Sequence, residues 1–394
     1  MFKDKNLLVL SHTYNSFIKD PVEILAKQFN KVYVLVRYQP VAELSRYIPL
    51  SFFKSRAKYS KRYSIDLTDK PKNIEVIPVP LWYLPFRRFY YSVGRKHARV
   101  ALRIIKKRNI KFDLIHAHFA WSSGYAGIKI KERYNKPLVV TGHGYDVYDL
   151  PFRNEKFRKS LTEILRQADQ VLTVSEKNNQ ALKILGVNNA MVLPNGYTND
   201  LFHYCDRKES RRKLGLSMDR KIILTIGNLD RVKGYKYLIK AMTRVKKRYP
   251  NVLCLHIGTG PLEESLKKMV ASYKLKDNFK FLGRKPHNEL KYYFGACDIF
   301  ALSSLSEGNP TVMFEALGSG KPFIGTSVGG IPKVINSPDY GLLCEPENEI
   351  ALSKNILEAL EIKWDSQKIL DYSKNFSWED ICDKILEVYS DVLS

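Results

Sequence analysis

Two glutamates separated by seven residues, Glu307 and Glu315, lie in the segment SEGNPTVMFEALGSGKPFIGTSVGG at 306–330. Glu307 sits in a Ser/Gly/Asn/Pro loop. Glu315 falls on a helix expected to open at Pro310 or Thr311, because proline lacks the amide hydrogen that a first helical position leaves unpaired. The backbone of Gly308, Asn309, Pro310 and Thr311, leading into the positive end of that helix, suits a phosphate. Glu315, near the second turn, could reach a ribose, and Glu307 could reach what lies beyond the phosphates. A nucleoside diphosphate carrying a sugar has that layout. The alternative is a surface loop and a capped helix with an incidental glutamate.

A second cluster is the loop GNLDRVKG at 227–234, where Lys233 and Arg231 follow an apolar run that ends in glycine. A basic loop at a strand end can cradle a diphosphate, although a solvated basic turn reads the same way. Gly258 and Gly260 in the turn GTGP, and Arg284 after Gly283, close the next two apolar runs. In TGHGYD at 141–146, His143 lies between two glycines, which give no cover. It is expected to be exposed and to titrate near its ordinary value of about 6.5. Asp146 follows in the same loop. His116 and His118 alternate along one strand and share a face. No third ligand lies nearby in sequence, so they read as cleft-lining or structural rather than as metal ligands. Asp298, ahead of another strand, reads equally as structural or functional.

Together these motifs resemble the retaining glycosyltransferases of family 4, also called group 1. The E-x7-E pair is followed in that family by A-x-A-x-G-x-P and a Gly-Gly loop, matched here by Glu315-Ala316-Leu317, Gly320-Lys321-Pro322 and Gly329-Gly330. The resemblance covers nearly the whole chain. It implies that Lys233 neutralises the donor pyrophosphate, with Asn228 standing where the family has Arg and Arg231 supplying that charge. It implies Glu315 on the ribose, Glu307 on the sugar, and Gly260 and Arg284 at the donor cleft. It places His143 beside the reacting sugar and leaving phosphate, and implies that Asp146 orients His143 or contacts an acceptor. Pro194-Asn195-Gly196 matches a family P-N-G, but Thr198 replaces the usual Asp and carries no catalytic role. In the first loop, where many members have Gly-Gly, Asn15 and Ser16 stand on the acceptor side. Lys333 replaces a usual Glu. The implied reaction is metal-independent, with the nucleotide-diphospho-sugar, UDP- or GDP-linked, as substrate and no cofactor.

Short apolar runs alternate with amphipathic helical segments, which is the α/β signature. Strands are expected at 7–10, 32–36, 74–79, 114–116, 138–141, 171–174 and 191–194. The pattern restarts at 221–227, 253–258, 279–282, 299–302, 322–326 and 341–344. Near-continuous apolar strands imply parallel sheets covered on both faces. The chain's 394 residues suit two domains. The expected organisation is two Rossmann-like domains facing a cleft (GT-B): an acceptor-side domain at 1–200 and a nucleotide-sugar-binding domain at 201–375. The resemblance also implies a C-terminal helix at 376–394 that crosses back to the first domain, anchored by Trp378. The polar stretch 200–219 is the expected linker.

Five scattered cysteines indicate neither a disulfide framework nor a zinc site. No apolar stretch approaches the ~18–20 residues of a membrane span, and the first apolar run is a strand rather than a signal peptide. The formal net charge is +25, and it is lopsided: residues 1–200 hold 35 basic and 16 acidic side chains, residues 201–394 hold 30 and 24. Residues 76–112 hold ten basic side chains and no acidic one, interleaved with Trp82, Tyr83, Phe86, Phe89, Tyr90 and Tyr91. The segment at 51–63 repeats the theme. Such a surface suits an anionic membrane. Nucleic acid could also be held this way but is not expected beside the transferase motifs. A solvated basic helix with core-packed aromatics is the plain alternative.

The expectation is a cytoplasmic glycosyltransferase, peripheral on the inner membrane face, acting on a glycan or lipid-linked acceptor. A nucleotide-sugar epimerase or phosphorylase on the same fold, or a basic binding protein with a degenerate nucleotide site, are the competing readings. Nothing in the chain resembles a pyridoxal-phosphate lysine site.

Overall fold

The computed structural model describes residues 2–43, 59–83 and 90–394. The basic residues Arg87 and Arg88, the aromatics Phe86 and Phe89, and most of the 51–63 segment lie outside these. The chain divides into two compact units, Met1–Pro194 with Trp378–Ser394, and Asn195–Ser377.

In the first unit the elements alternate: β1 Phe2–Ser11, α1 Ser16–Ala26, β2 Phe29–Tyr38, β3 Ile74–Pro80, α2 Val93–Lys107, β4 Leu114–His118, α3 Tyr125–Tyr134, β5 Leu138–Gly142, α4 Glu155–Gln167, β6 Gln170–Thr173, α5 Glu176–Ile184 and β7 Ala190–Val192. Every pairing is parallel, in the order β3-β2-β1-β4-β5-β6-β7. Alternation along β1 sends Leu8 and Leu10 into one core with Ile115, Val140 and Trp121. Leu7 and Val9 enter a second core with Val34, Trp378 and Tyr389. The sheet is therefore buried on both faces, which explains why its strands read as unbroken apolar runs.

In the second unit the elements are α6 Arg207–Leu214, β8 Ile222–Ile226, α7 Tyr235–Arg248, β9 Leu253–Ile257, α8 Glu263–Ser272, β10 Phe279–Phe281, α9 Leu290–Ala296, β11 Ile299–Leu302, α10 Thr311–Gly318, β12 Phe323–Thr326, β13 Gly341–Cys344, α11 Glu349–Glu361 and α12 Ser366–Ser373. This sheet is also parallel, in the order β10-β9-β8-β11-β12-β13.

The last helix, α13 Trp378–Leu393, belongs to the first unit. Its buried residues Trp378, Ile381, Cys382, Ile385, Val388 and Tyr389 recur at helical spacing and form one stripe. Glu379 and Asp380 in its first turn complement the helix dipole.

The stretch 200–219, expected as a linker, instead carries α6 packed into the second unit. Asp206 caps it by accepting from the Glu209 amide. Arg211 is fully buried, donating to the carbonyls of Ala296, Ser217, Met218 and Arg220 and to Asp298. Asp298 also pairs with Arg207 and accepts from the Ile222 amide. It lies at the amino ends of β8 and β11 and is structural.

Candidate functional site

In an open parallel sheet, ligands bind beyond the carboxyl ends of the strands where the strand order reverses. In the second unit that point lies between β8 and β11. The loop after β8 ends in a tight turn, Arg231–Lys233, capped by Asp230. The loop after β11 carries Glu307. Lys233 Nζ and Glu307 Oε1 meet at 2.6 Å, and Ser304 Oγ donates to the same oxygen at 2.6 Å. The lysine and the first glutamate thus neutralise each other in a largely buried pair.

The loops are keyed together through main chain. The Leu305 amide donates to Val232 O at 2.7 Å and the Gly330 amide to Gly308 O at 2.8 Å. Gly234 (φ 63°) and Gly329 (φ 61°) both lie in the left-handed region. A Cβ on either would come within 2.1 Å of a carbonyl oxygen, that of Ser303 or Glu307 respectively.

Helix α10 opens at Thr311 with Pro310 as its cap residue, as the spacing predicts. Its first-turn amides have no intrahelical acceptor, and Gly308 and Asn309 lead directly into it. Asn309 O accepts from Asn195 Nδ2 at 2.6 Å. Glu315 is 3% exposed. Its Oε1 faces His287 Nε2 at 3.1 Å, while Oε2 is buried without a partner among the described residues. A buried carboxylate oxygen with no donor is costly unless a ligand supplies one. Gly260 turns the chain into α8, its carbonyl accepting from the Glu263 amide. Arg284 follows Gly283, whose carbonyl holds the Gly258 amide at 2.8 Å. Arg231, Arg284 and Lys333 are exposed.

In the first unit the order reverses between β1 and β4. His143, after β5, is not the exposed imidazole that its glycine neighbours suggest. Its ring packs against Phe119 (4.7 Å between centroids) and Phe17 (5.5 Å), and its Nε2 meets His118 Nδ1 at 3.1 Å. Burial, then the His118 ring, push its pKa well below the ordinary value, so it is neutral at pH 7. Asp146 is 1% exposed and accepts from the amides of His143, Gly144 and Ala120. It orients the His143 loop and is sealed from any acceptor. Burial raises its carboxyl to about 6, the three amides pulling the other way.

Asn15 caps α1 through its carbonyl, which accepts from Ile18 and Lys19; its side chain makes no capping bond. Ser16 is the first residue of α1 rather than a loop residue. His116 uses both ring nitrogens, on Tyr389 OH at 2.6 Å and Thr141 Oγ1 at 2.7 Å, which leaves neither for a metal.

The sequence reading missed His287, the partner of Glu315, and Phe119, which has a φ of 75° and stacks flat on His12 at 4.3 Å. Such backbone in a bulky residue concentrates at functional sites. The aromatics at 90 and 91 turn inward, Tyr91 stacking on Trp121 at 5.6 Å, whereas Trp82 is 66% exposed. On α2 the residues Arg95, Arg99, Arg103, Lys106 and Lys107 face solvent, and His97, Ala98, Ala101 and Ile105 face the core. No helix among the described residues is long and apolar enough to cross a membrane.

Comparison with known proteins places this geometry. The profile of glycosyl transferases group 1 matches residues 206–376, and that of glycosyltransferase family 4 matches 25–200. The chain is 32% identical over 282 residues, 69% of its own length and 69% of the relative's, to TuaC of Bacillus subtilis (strain 168), named as a teichuronic acid biosynthesis glycosyltransferase. Sucrose-phosphate synthase from Thermosynechococcus elongatus superposes with a TM-score of 0.78 at 22% identity, over 98% of this chain and 99% of that one. Anabaena HepE in complex with UDP-glucose gives 0.72 at 19% identity, over 98% and 100%. Both structural likenesses are of fold.

Proposed function

The chain belongs to the group 1, family 4 glycosyltransferases, retaining enzymes of GT-B fold that use nucleotide-sugar donors, and we propose that it transfers a hexose from a UDP-sugar, without a metal ion, to a hydroxyl of a glycan or lipid-linked acceptor. The observation that carries this reading is the second unit's switch point. There the Lys233–Glu307 pair, the amino end of α10 and the unpartnered Glu315 Oε2 converge on three keyed loops. The UDP assignment draws on the HepE neighbour, which was solved with UDP-glucose.

In this reading the donor diphosphate lies against the amides of Gly308, Asn309 and Thr311 and draws Lys233 toward it. Arg231 adds charge from the same loop, and Gly260 and Arg284 border the nucleotide. Glu307, held by Ser304, turns to the sugar hydroxyls. Glu315 Oε2 accepts from a ribose hydroxyl. The bond from the sugar's anomeric carbon to the β-phosphate oxygen breaks with its electron pair leaving on the phosphate. The acceptor oxygen forms its bond on the same face, and its proton passes to the leaving phosphate. Lys233 and the helix amides stabilise the developing charge, supplying the positive potential that a divalent ion provides elsewhere. The first unit holds the acceptor. His143 contributes there as a neutral imidazole whose tautomer is set by His118, while Asp146 positions its backbone. Asn15 and Ser16, beside Phe17, border the same loops.

The exposed basic face of α2 and Trp82 would dock the enzyme on an anionic membrane surface and give it access to a lipid-linked acceptor. A cytoplasmic protein peripheral on the inner membrane face fits this placement. Sedimentation with anionic liposomes at low salt tests the docking; no binding there removes it.

Thermal melting with UDP, GDP and ADP, each with and without Mg²⁺, tests the donor site. Stabilisation by UDP that is independent of Mg²⁺ and is reduced in Glu315→Gln is the expected result. No shift with any nucleotide, or an unchanged shift in the variant, overturns the assignment.

A further inference from the structure

The carboxyl ends of β1, β2 and β4 bring together four side chains that the transferase reading leaves unused: His12, Arg37, Ser122 and, from α2, His97. Arg37 is 8% exposed. It reaches Ser122 Oγ at 3.3 Å through Nη1 and His12 Nδ1 at 3.2 Å through Nη2. Among the described residues no carboxylate pairs with it, and the stretches 44–58 and 84–89 contain no Asp or Glu. A buried guanidinium without an anion is unfavourable.

The cluster also holds more hydrogen-bond donors than acceptors. A neutral imidazole has one acceptor nitrogen, and guanidinium has none. The Ser122 amide points at His12 Nε2 at 3.2 Å while Arg37 points at Nδ1. One of these two contacts must therefore set donor against donor. Ser122 Oγ meets His97 Nδ1 at 3.1 Å, and His97 Nε2 is buried with no partner among the described residues. Burial and the Arg37 charge hold both imidazoles below their ordinary range, His97 at about 3, so the cluster's net charge at neutral pH comes from Arg37 alone. His97 and Ser122 are sealed, whereas His12 is partly exposed and opens the cluster to the surface.

A surplus of buried donors around one uncompensated cation, at the switch point of a parallel sheet, is a site built for an oxyanion. We propose that Arg37, with His12, Ser122 and His97, forms a subsite that receives a carboxylate or phosphate ester carried by the acceptor. The proposal rests on the transferase reading, with the first unit holding the acceptor, and narrows it to an anionic acceptor.

The test is thermal melting of the full chain at constant ionic strength with inorganic phosphate, with glucuronate as a sugar carboxylate, and separately with UDP. Wild type is expected to be stabilised saturably by at least one of the anions. A phosphate response identifies a phosphate ester, and a response to glucuronate alone identifies a carboxylate. Arg37→Gln should bind that anion about tenfold or more weakly, keep its UDP shift, and melt no lower than wild type in anion-free buffer. Unchanged anion affinity in Arg37→Gln, no response of wild type to either anion, or a lower melting point of the variant in anion-free buffer overturns the proposal. As a second variant, Arg37→Lys keeps the charge but loses the two-pronged donor. Its anion affinity should fall several-fold, and unchanged affinity overturns the proposal. Loss of the UDP response in wild type sinks the donor assignment instead and leaves the anion response to be read on its own.

Discussion

The two sheets reverse strand order in the same way, yet the loops at their two switch points are made of different material. In the second unit they are glycine and main chain surrounding one ion pair, Lys233 with Glu307. In the first they are imidazole and aromatic rings: His12 on Phe119, Phe119 on His143, His143 on His118 and His118 on His116. Main-chain amides with one fixed charge suit a constant ligand such as a diphosphate. A ring-lined site with one buried cation holds its ligand by shape and by a few polar atoms, and such a site can differ from one chain to the next on the same frame. The common fold fixes where a ligand binds, and the loop chemistry fixes how narrowly that ligand is defined.

The largest test of this contrast is removal of the second unit's charge. Lys233→Ala should slow transfer by about 10²–10³-fold, the usual consequence of losing a preorganised electrostatic group. Initial rates of UDP release measure it, and a loss under tenfold would show that the amides carry the charge unaided.

Acid should separate the units next. Five imidazoles with lowered pKa lie in the first unit (His12, His97, His116, His118, His143), of which His97, His116 and His118 are buried, and one, His256 at about 4, in the second. A histidine with a lowered folded pKa keeps its stability above about 6.5 and loses it as pH falls, because the unfolded chain binds the proton first. For His97 and His118, both at about 3, the loss on going from pH 7 to pH 5 is about 2 kcal/mol each. Asp146, raised to about 6, works the other way and returns about 1 kcal/mol over the same interval. Hydrogen exchange resolved by segment, corrected for intrinsic rates, should show the first unit opening before the second at pH 5. Equal loss in both would break the comparison.

A smaller effect is expected at the loop contacts. Gly234→Ala combines a left-handed backbone with a blocked approach to Ser303 O and should lower stability by about 1–3 kcal/mol, read as a drop in melting temperature. The same substitution at Gly215, which also has a positive φ but nothing within 4 Å, should cost about 1 kcal/mol. A similar cost at both positions would mean that the contact with Ser303 carries no penalty. In the same range is Glu315→Gln, which should weaken UDP about tenfold by replacing a charged acceptor with a neutral one. Isothermal titration measures it.

The same contrast explains what could be read in advance. The strand runs, the opening of α10 at Thr311, the closing helix and the E-x7-E segment are all local: each is a few residues whose types dictate the backbone. The pairing of Lys233 with Glu307 was hidden, since it depends on β8 and β11 lying side by side. So was the Glu315–His287 contact. The first unit's cluster was hidden more deeply, because His12, Arg37, His97 and Ser122 share no motif and meet only through the sheet order. His143 misled because glycine neighbours signal exposure, whereas its cover comes from Phe17 and Phe119, distant in sequence. Asp206 and Glu209 did carry a cap signal for α6, but the polarity of the surrounding stretch concealed it.

The glycines at 234 and 329 have one more consequence. Each lets its own loop rest on the carbonyl of another, Gly234 on Ser303 and Gly329 on Glu307, with no room for a methyl group at either contact. Three loops from three strands therefore form a single interlocked part, and a backbone change in one must be matched in its neighbours. Altering donor preference by exchanging one loop at a time should fail in folding before it fails in catalysis. The positions open to independent variation are those that point outward from the lock, Arg231, Arg284 and Lys333. A library built on these three residues explores nucleotide and sugar choice while leaving the interlocked part intact.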